Sequence, residues 1–381
     1  MKYKFGDVVK DIKVNINRED NPYPYYIAGD HMDSEDLHIH RKGSFETDAV
    51  GPAFIREFKK GQVLYGSRRT YLKKVAVADF DGITSNTTFV FETKDQDILL
   101  QELIPFIILS ERFTQWSINK SRGSTNPYVL FEDLAEYTID LPDLDKQKEL
   151  AEVLWAIDDT ICKYKILLDQ TDELVKSQFI EMFGDPTDSG LTRIPLGEYV
   201  ENTKYGTSQP PQYDENGCFK FIRATNIKNG HITEEDMRYI SKEEADKIGK
   251  CRLTSGELII VRSGVNTGDT CVVTNEYNGQ YAGYDIIVTL KTDKLNPVFL
   301  NELINAPEYM KTVVKPLTAR SAQPHLNTQQ VQGLPILVVD IDKQNEFADF
   351  SEQSDKSKFE LKRALAELEA LSKTIVEEYL G

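Results

Sequence analysis

The sequence predicts an α+β fold in which two duplicated mixed α/β modules are joined by two long antiparallel helices that form a coiled coil. Three observations predict it. Residues 143–184 and 340–381, overlaid at a constant offset of 197 without a gap, are identical at 13 of 42 positions, among them Asp145/Asp342, Gln147/Gln344, Glu149/Glu346, Asp158/Asp355 and Leu174/Leu371. That offset is about half of 381, so the chain is a tandem duplication and each half closes on the same segment. Within the first copy of the segment, Leu150, Leu154, Ile157, Ile161, Tyr164, Leu168, Thr171, Val175, Gln178 and Met182 follow one another in steps of four and three, the a/d rhythm of a coiled coil. Ahead of each copy lie short runs of Val, Ile, Tyr, Phe and Thr broken by Gly, Asn, Asp and Pro, the pattern of strands with tight turns.

The elements then follow in order. Residues 1–142 form the first module, with strand runs such as GQVLYG (61–66) and KKVAVADFDG (73–82), one helix over 97–110 with a Pro inside it, and an acid-free loop over 112–131. Residues 143–184 form a helix on the order of 60 Å long at about 1.5 Å per residue. Residues 185–339 repeat the module: GELIIV (256–261), TCVVTNEYNG (270–279) and DIIVTL (285–290) are strands, 297–314 is the counterpart helix, and 311–339 is again acid-free. Residues 340–381 form the second long helix, where Leu361, Leu365, Leu368, Ile375 and Tyr379 keep the apolar rhythm and the polar run at 351–358 weakens its first half. A long exposed helix needs a partner, and the other copy is the nearest one. The modules share only a skeleton: Phe5-Gly6-Asp7 against Leu196-Gly197-Glu198, residues 61–64 against 256–259, and S-x-x-P at 124–127 against 321–324.

Composition narrows the function. With 40% hydrophobic and 28% charged residues the chain is neither disordered nor a membrane protein, and the start, MKYKFGDVVKD, lacks the apolar core of a signal peptide; a cytoplasmic location is expected. Cys162, Cys218, Cys251 and Cys271 form no CxxC, so buried, inert thiols are expected. The net charge of −17 argues at first against a nucleic-acid partner, yet 143–183 holds 10 acids against 5 bases and 340–381 holds 11 against 6. The helices therefore carry most of the negative charge. Residues 41–74 hold nine bases against three acids, so basic surface sits on the modules.

Two variable modules alternating with two long helices that begin D-[LI]-D-K-Q-x-E, each module opening near an apolar-Gly-acid triplet and closing near S-x-x-P, resemble the specificity (S) subunit of type I restriction-modification systems. The runs GQVLYGSRRTYLKK and FIRATNIKNG (221–230) are also of the kind seen in that family's target recognition domains. The resemblance implies that each module is a target recognition domain reading one half of a bipartite site in double-stranded DNA. It implies further that the helices set the half-site spacing, and that two methylation (M) subunits dock on them near Gln147, Glu149, Gln344 and Glu346, with restriction (R) subunits joining the complex. S-adenosylmethionine would then belong to the partners, and this chain would hold no cofactor and do no catalysis.

Missing chemistry agrees with that division. A DNA adenine methyltransferase needs a Gly-rich cofactor loop and an Asn/Asp-Pro-Pro-Tyr/Phe motif, and neither occurs; the NPYP at 21–24 and NPY at 126–128 read as turns. Asp48, Glu57 and Lys59 have the residue types of a metal-dependent nuclease, which keeps a stand-alone DNA nuclease open as an alternative, beside a non-catalytic coiled-coil scaffold. His31, His38 and His40 with Asp30 and Asp33 have metal-ligating types, though a polar surface loop fits them better. DNA contacts are expected from Arg68, Arg69, Tyr71, Lys73, Lys120, Arg122 and Ser124 in the first module. In the second they are expected from Arg262, Ser263, Asn266, Arg320, Ser321, Gln323, His325 and Asn327, backed by Lys204, Tyr205, Arg223 and Asn226.

Overall fold

Both globular parts open and close on the same pair of strands. Lys2–Lys4 pairs antiparallel with Thr138–Asp140, and Arg193–Pro195 pairs antiparallel with Pro335–Leu337. The computed structural model describes residues 1–17, 20–188, 190–318 and 324–381. These fall into two units, Met1–Ile166 with Leu361–Gly381, and Leu167–Glu360. Each long helix, Leu144–Phe183 and Ile341–Tyr379, gives one half to each unit, because each half is buried against a module rather than standing apart as a separate helical segment.

In unit 1 a four-stranded antiparallel sheet runs in the order Val9–Asp11, Thr88–Thr93, Val63–Gly66, Val75–Val77. In unit 2 the same order is taken by Val200–Tyr205, Ile286–Leu290, Leu258–Ile260 and Thr270–Val272. The turn into the third strand of each order needs a left-handed residue, which is why a glycine stands there in both repeats: Gly61 has φ +87° and Gly256 has φ +88°. A second sheet in each unit keeps one parallel pair, Tyr25–Ile27 with Gly82–Ser85 and Phe219–Ile222 with Tyr281–Ala282, around which the repeats diverge. The apolar-Gly-acid triplet has the same task twice. Phe5 and Leu196 are fully buried, and Gly6 and Gly197 face the ends of the helices Phe131–Ala135 and Thr328–Gln332, with the close approach at Gly6.

The internal helices differ from expectation. Pro105 starts the helix Ile104–Leu109, and Ser110 then caps a further helix, Glu111–Lys120, by accepting from the Phe113 amide at 3.2 Å. Half of the expected acid-free loop is therefore helical, held by the buried face of Phe113, Thr114 and Ser117. In unit 2, Asn296 caps Pro297–Asn305, and a second helical run follows from Pro307 to Thr318, with a π-helical turn over Met310–Val314. Cys251 and Cys271 are buried as expected, whereas Cys162 is half-buried and Cys218 exposed.

In unit 1 Leu150 and Leu154, near the start of the first long helix, share a core with Val376 and Leu380 at the end of the second. In unit 2 Phe179 and Phe183, at the end of the first, pack on Phe347 at the start of the second, with Phe179 and Phe347 ring centroids 5.3 Å apart. The helices are thus antiparallel. The seam slips by one residue at that end: Phe179 and Phe183 are buried where Gln178 and Met182 were expected, because the helix also packs on Phe299 of the module. The polar run of the second helix occupies the seam as well. Ser351, Ser354 and Lys358 are its buried positions, and Lys358 Nζ lies 2.9 Å from Asp172 and 2.8 Å from Asp355.

The residues identical between the helices hold the modules in place. Gln147 is 1% exposed, donates to the Ile98 and Pro142 carbonyls at 2.9 and 3.0 Å and accepts from the Leu100 amide at 3.1 Å. Gln344, 0% exposed, accepts from the Asn296 amide at 2.9 Å and donates to the Lys294 and Val339 carbonyls at 3.3 and 2.9 Å. Asp158 and Asp355 each receive a histidine from the adjoining module, His38 at 2.8 Å and His231 at 3.9 Å.

Candidate nucleic-acid interface

In unit 1 the loop after Val63–Gly66 and the segment after Glu111–Lys120 are hydrogen-bonded into one assembly. Arg69 and Lys73 take left-handed backbone angles around the turn Thr70–Leu72. The Arg69 amide donates to Pro127 O at 2.7 Å, the Val129 amide to Ser67 O at 3.0 Å, and Arg122 and Tyr128 exchange backbone bonds of 2.8 and 3.0 Å. Arg68 lies over the Tyr128 ring at 6.0 Å, and Lys120 over Trp116 at 4.8 Å. Two clusters far apart in sequence thus become one exposed ledge carrying Arg68, Arg69, Tyr71, Lys120, Arg122 and Ser124.

Unit 2 repeats the bridge with other side chains. The Leu326 amide donates to Arg262 O at 2.9 Å, the counterpart of the Val129–Ser67 bond, and Ser263 bridges His325 as Arg68 bridges Tyr128. Arg262 lies over the rings of Tyr205, at 4.8 Å, and Tyr284, at 4.4 Å, and its Nη2 is 3.0 Å from His325 Nε2. Beneath it the Asp285 carboxylate accepts from the Arg262 backbone amide at 3.1 Å; burial pushes that carboxyl up to about 6. Burial and the neighbouring guanidinium push His325 below its ordinary value, and because a guanidinium only donates, the Nε2 that faces it is the acceptor. Tyr205 accepts from the Thr328 amide at 3.1 Å, and its phenol is held below its usual range by hydrogen bonding to Thr328 and by the Arg262 charge.

Charge pairing sorts the expected contacts. Among the described residues Arg68, Arg69, Lys120 and Arg262 pair with no carboxylate, and Ser263 and Asn266 accompany Arg262 beside the fully exposed Val265. The other expected cations among the described residues are spent internally: Arg122 on Asp133 at 2.8 Å, Lys73 on Glu35 at 2.7 Å and Glu111 at 3.4 Å, Lys204 on Glu257 at 2.7 Å, and Arg223 on Asp236 at 2.9 Å. Asn226 is 0% exposed, with its amide on the Thr233 and Glu235 carbonyls, so the expected base contact gives way to a structural one. The Asn327 side chain caps Thr328–Gln332. Arg320, Ser321 and Gln323 lie outside the described residues. Sequence reasoning missed Tyr128, Tyr284 and Val265, which lie outside its chosen clusters or carry no charge.

Burial also corrects the docking expectation. Gln147 and Gln344 have no free surface, whereas Glu149 and Glu346 are exposed. The nuclease set does not converge: Asp48 accepts from Tyr26 at 3.1 Å and the Ser44 amide at 3.0 Å, while Glu57 is bonded by Tyr23 and lies 3.0 Å from Lys59. His31, His38 and His40 turn to the Ala28 amide, Asp158 and Asp36 respectively. Among the described residues no group of three or more His, Cys, Asp or Glu is placed to hold a metal, and no helix is long and apolar enough to cross a membrane.

Comparison with known proteins places this arrangement. The chain is 31% identical over 162 residues to the EcoDI specificity subunit of Escherichia coli, covering 41% of this chain and 35% of that one. It is 24% identical over 217 residues to the HindI specificity subunit of Haemophilus influenzae, covering 54% and 46%. These matches span less than half the length of either relative. The fold of the type I restriction-modification S subunit from M. genitalium superposes with a TM-score of 0.65 at 14% identity, covering 100% of this chain and 96% of that one. A chain from a structural study of type I R-M complex assembly gives 0.54 at 18%, covering 100% and 97%. The family model for the type I restriction modification DNA specificity domain matches residues 2–168 and again 195–370, so the chain belongs to that family and carries its domain twice.

Proposed function

We propose that this chain is the DNA-reading subunit of a type I restriction-modification complex, in which each unit reads one half of an asymmetric bipartite site in double-stranded DNA. The observation that carries the reading is the duplicated bridge. On the same bridge each unit carries an arginine that no described carboxylate pairs, beside exposed aromatic rings, at adjacent positions in the two units and with different neighbours. Equal scaffolds with unequal side chains suit two different half-sequences.

The long helices set the distance between half-sites, and their acidic exposed faces, including Glu149 and Glu346, receive two methylation subunits in a cytoplasmic assembly that restriction subunits complete. S-adenosylmethionine is bound by the methylation subunits. The test is methylome sequencing of a host expressing the chain with its methylation subunits. A single bipartite asymmetric motif, absent when the chain is omitted, is the expected result; methylation without sequence preference, or unchanged without the chain, overturns the reading.

A further inference from the structure

The bridge that both units share assigns its two arginines to different directions. By strand pairing Ser67 of unit 1 stands where Arg262 stands in unit 2, and Arg68 where Ser263 stands. Adjacent positions of an extended segment face opposite sides. Extending the registers Gly66↔Thr88 and Ile260↔Ile286 along the chain sets Thr87 opposite Ser67 and Tyr284 opposite Arg262, so unit 1 fills this place with a serine hydroxyl bonded to the Thr87 carbonyl at 2.5 Å, and unit 2 fills it with an arginine on a tyrosine ring.

Resting on the DNA-reading function proposed above, we infer that Arg262 reads a guanine in the half-site of unit 2, and that Tyr205, Tyr284 and His325 hold its guanidinium for that purpose. A guanidinium has five donors and His325 Nε2 is a single acceptor 3.0 to 3.3 Å from its Nε and Nη2, so donors remain free on an edge that no described carboxylate occupies. A phosphate contact needs charge without orientation, and a mobile lysine meets it. A planar fork held over two rings is already oriented, and its geometry matches the two acceptors, O6 and N7, that guanine presents in the major groove. Asp285 fixes the origin of the side chain through the Arg262 backbone amide.

The experiment uses the full chain with its methylation subunits and compares wild type, R262K, Y284F and Y284A by methylome sequencing, followed by binding to duplexes varied one base pair at a time. R68K serves as the control acting on the other half-site. R262K keeps the charge and loses the fork, so preference for G·C at one position of one half-site should fall about 10-fold to 100-fold while the other half-site and the salt dependence stay unchanged. Y284F keeps the ring and should keep the preference; Y284A should weaken it at that same position. Thermal melts check folding, and if R262K melts early, Y284A carries the decision. A unit 2 half-site made only of A·T pairs, unchanged preference in R262K and Y284A, or a uniform loss of affinity across all sequences overturns the assignment. A wild-type complex without any bipartite motif would instead overturn the function on which it rests.

Discussion

Replacing Gly6 by Ala should destabilise unit 1, whereas the same change at the equivalent Gly197 should be harmless to unit 2. A Cβ on Gly6 would lie 2.5 Å from Ala135 Cβ, 3.1 Å from its Cα and 3.3 Å from its carbonyl oxygen, against a carbon–carbon contact distance of about 3.5–4.0 Å. The helix Phe131–Ala135 would have to retreat by roughly 1 Å. It is anchored by buried Leu134, and the 2.7 Å bond from the Phe5 amide to Tyr137 O resists the shift. At Gly197 the new Cβ meets Gln332 Cβ and O at 3.4 Å, close to ordinary contact. Both sites are helical with negative φ, so Ala also gains about 0.4–1 kcal/mol by restricting the unfolded chain. Overpacking costs about 1–3 kcal/mol, which leaves G6A roughly 1–2 kcal/mol less stable. G197A should be neutral or up to about 1 kcal/mol more stable. For units of this size that is a fall of roughly 2–8 °C against a rise of a few degrees, read by calorimetry of the purified chain. The double variant G6A/A135G should recover most of the loss, since it removes the clashing methyl. Equal shifts for G6A and G197A, or no recovery from A135G, would refute the close-approach argument.

Phe347→Ala should cost about 3–5 kcal/mol in unit 2, because the ring is fully buried among Phe179 and Phe183; denaturant unfolding showing a loss below about 1 kcal/mol would contradict that packing. The hydrogen bond to Asp158, aided by its charge and those of Asp36 and Asp159, raises the His38 pKa, so the contact adds stability that is full below about pH 6.5 and fades as pH rises through the higher folded value. Melts of unit 1 should lose that slope in H38Q, and an unchanged slope would assign it elsewhere. Inserting four residues after Ile166 and four after Glu360 should lengthen the methylated motif by about one or two unspecified base pairs, since four helical residues rise roughly 6 Å. Methylation at the original spacing would remove the helices from the measurement.

The duplication, the two long helices and several strand runs were legible in the sequence because each rests on local information. Heptad spacing from Leu150 onward, a glycine at the head of the matched runs at 61–64 and 256–259, and an identity run at 143–149 and 340–346 need no knowledge of distant neighbours. The seam at Phe179 and Phe183 was missed because a third surface, Phe299, widened the buried face beyond the period of two helices. The candidate interface was legible as residue types and as two basic neighbourhoods. Which cations are available was not, because the answer lies in contacts distant along the chain: Lys204 is neutralised by Glu257, and Lys73 by Glu35 and Glu111. Arg262 depends on the same kind of fact. Its rings come from Tyr205, at the end of one strand, and Tyr284, in the bend before the strand that pairs with it, and its acceptor from His325, so only the tertiary structure brings these separate stretches of sequence to one guanidinium.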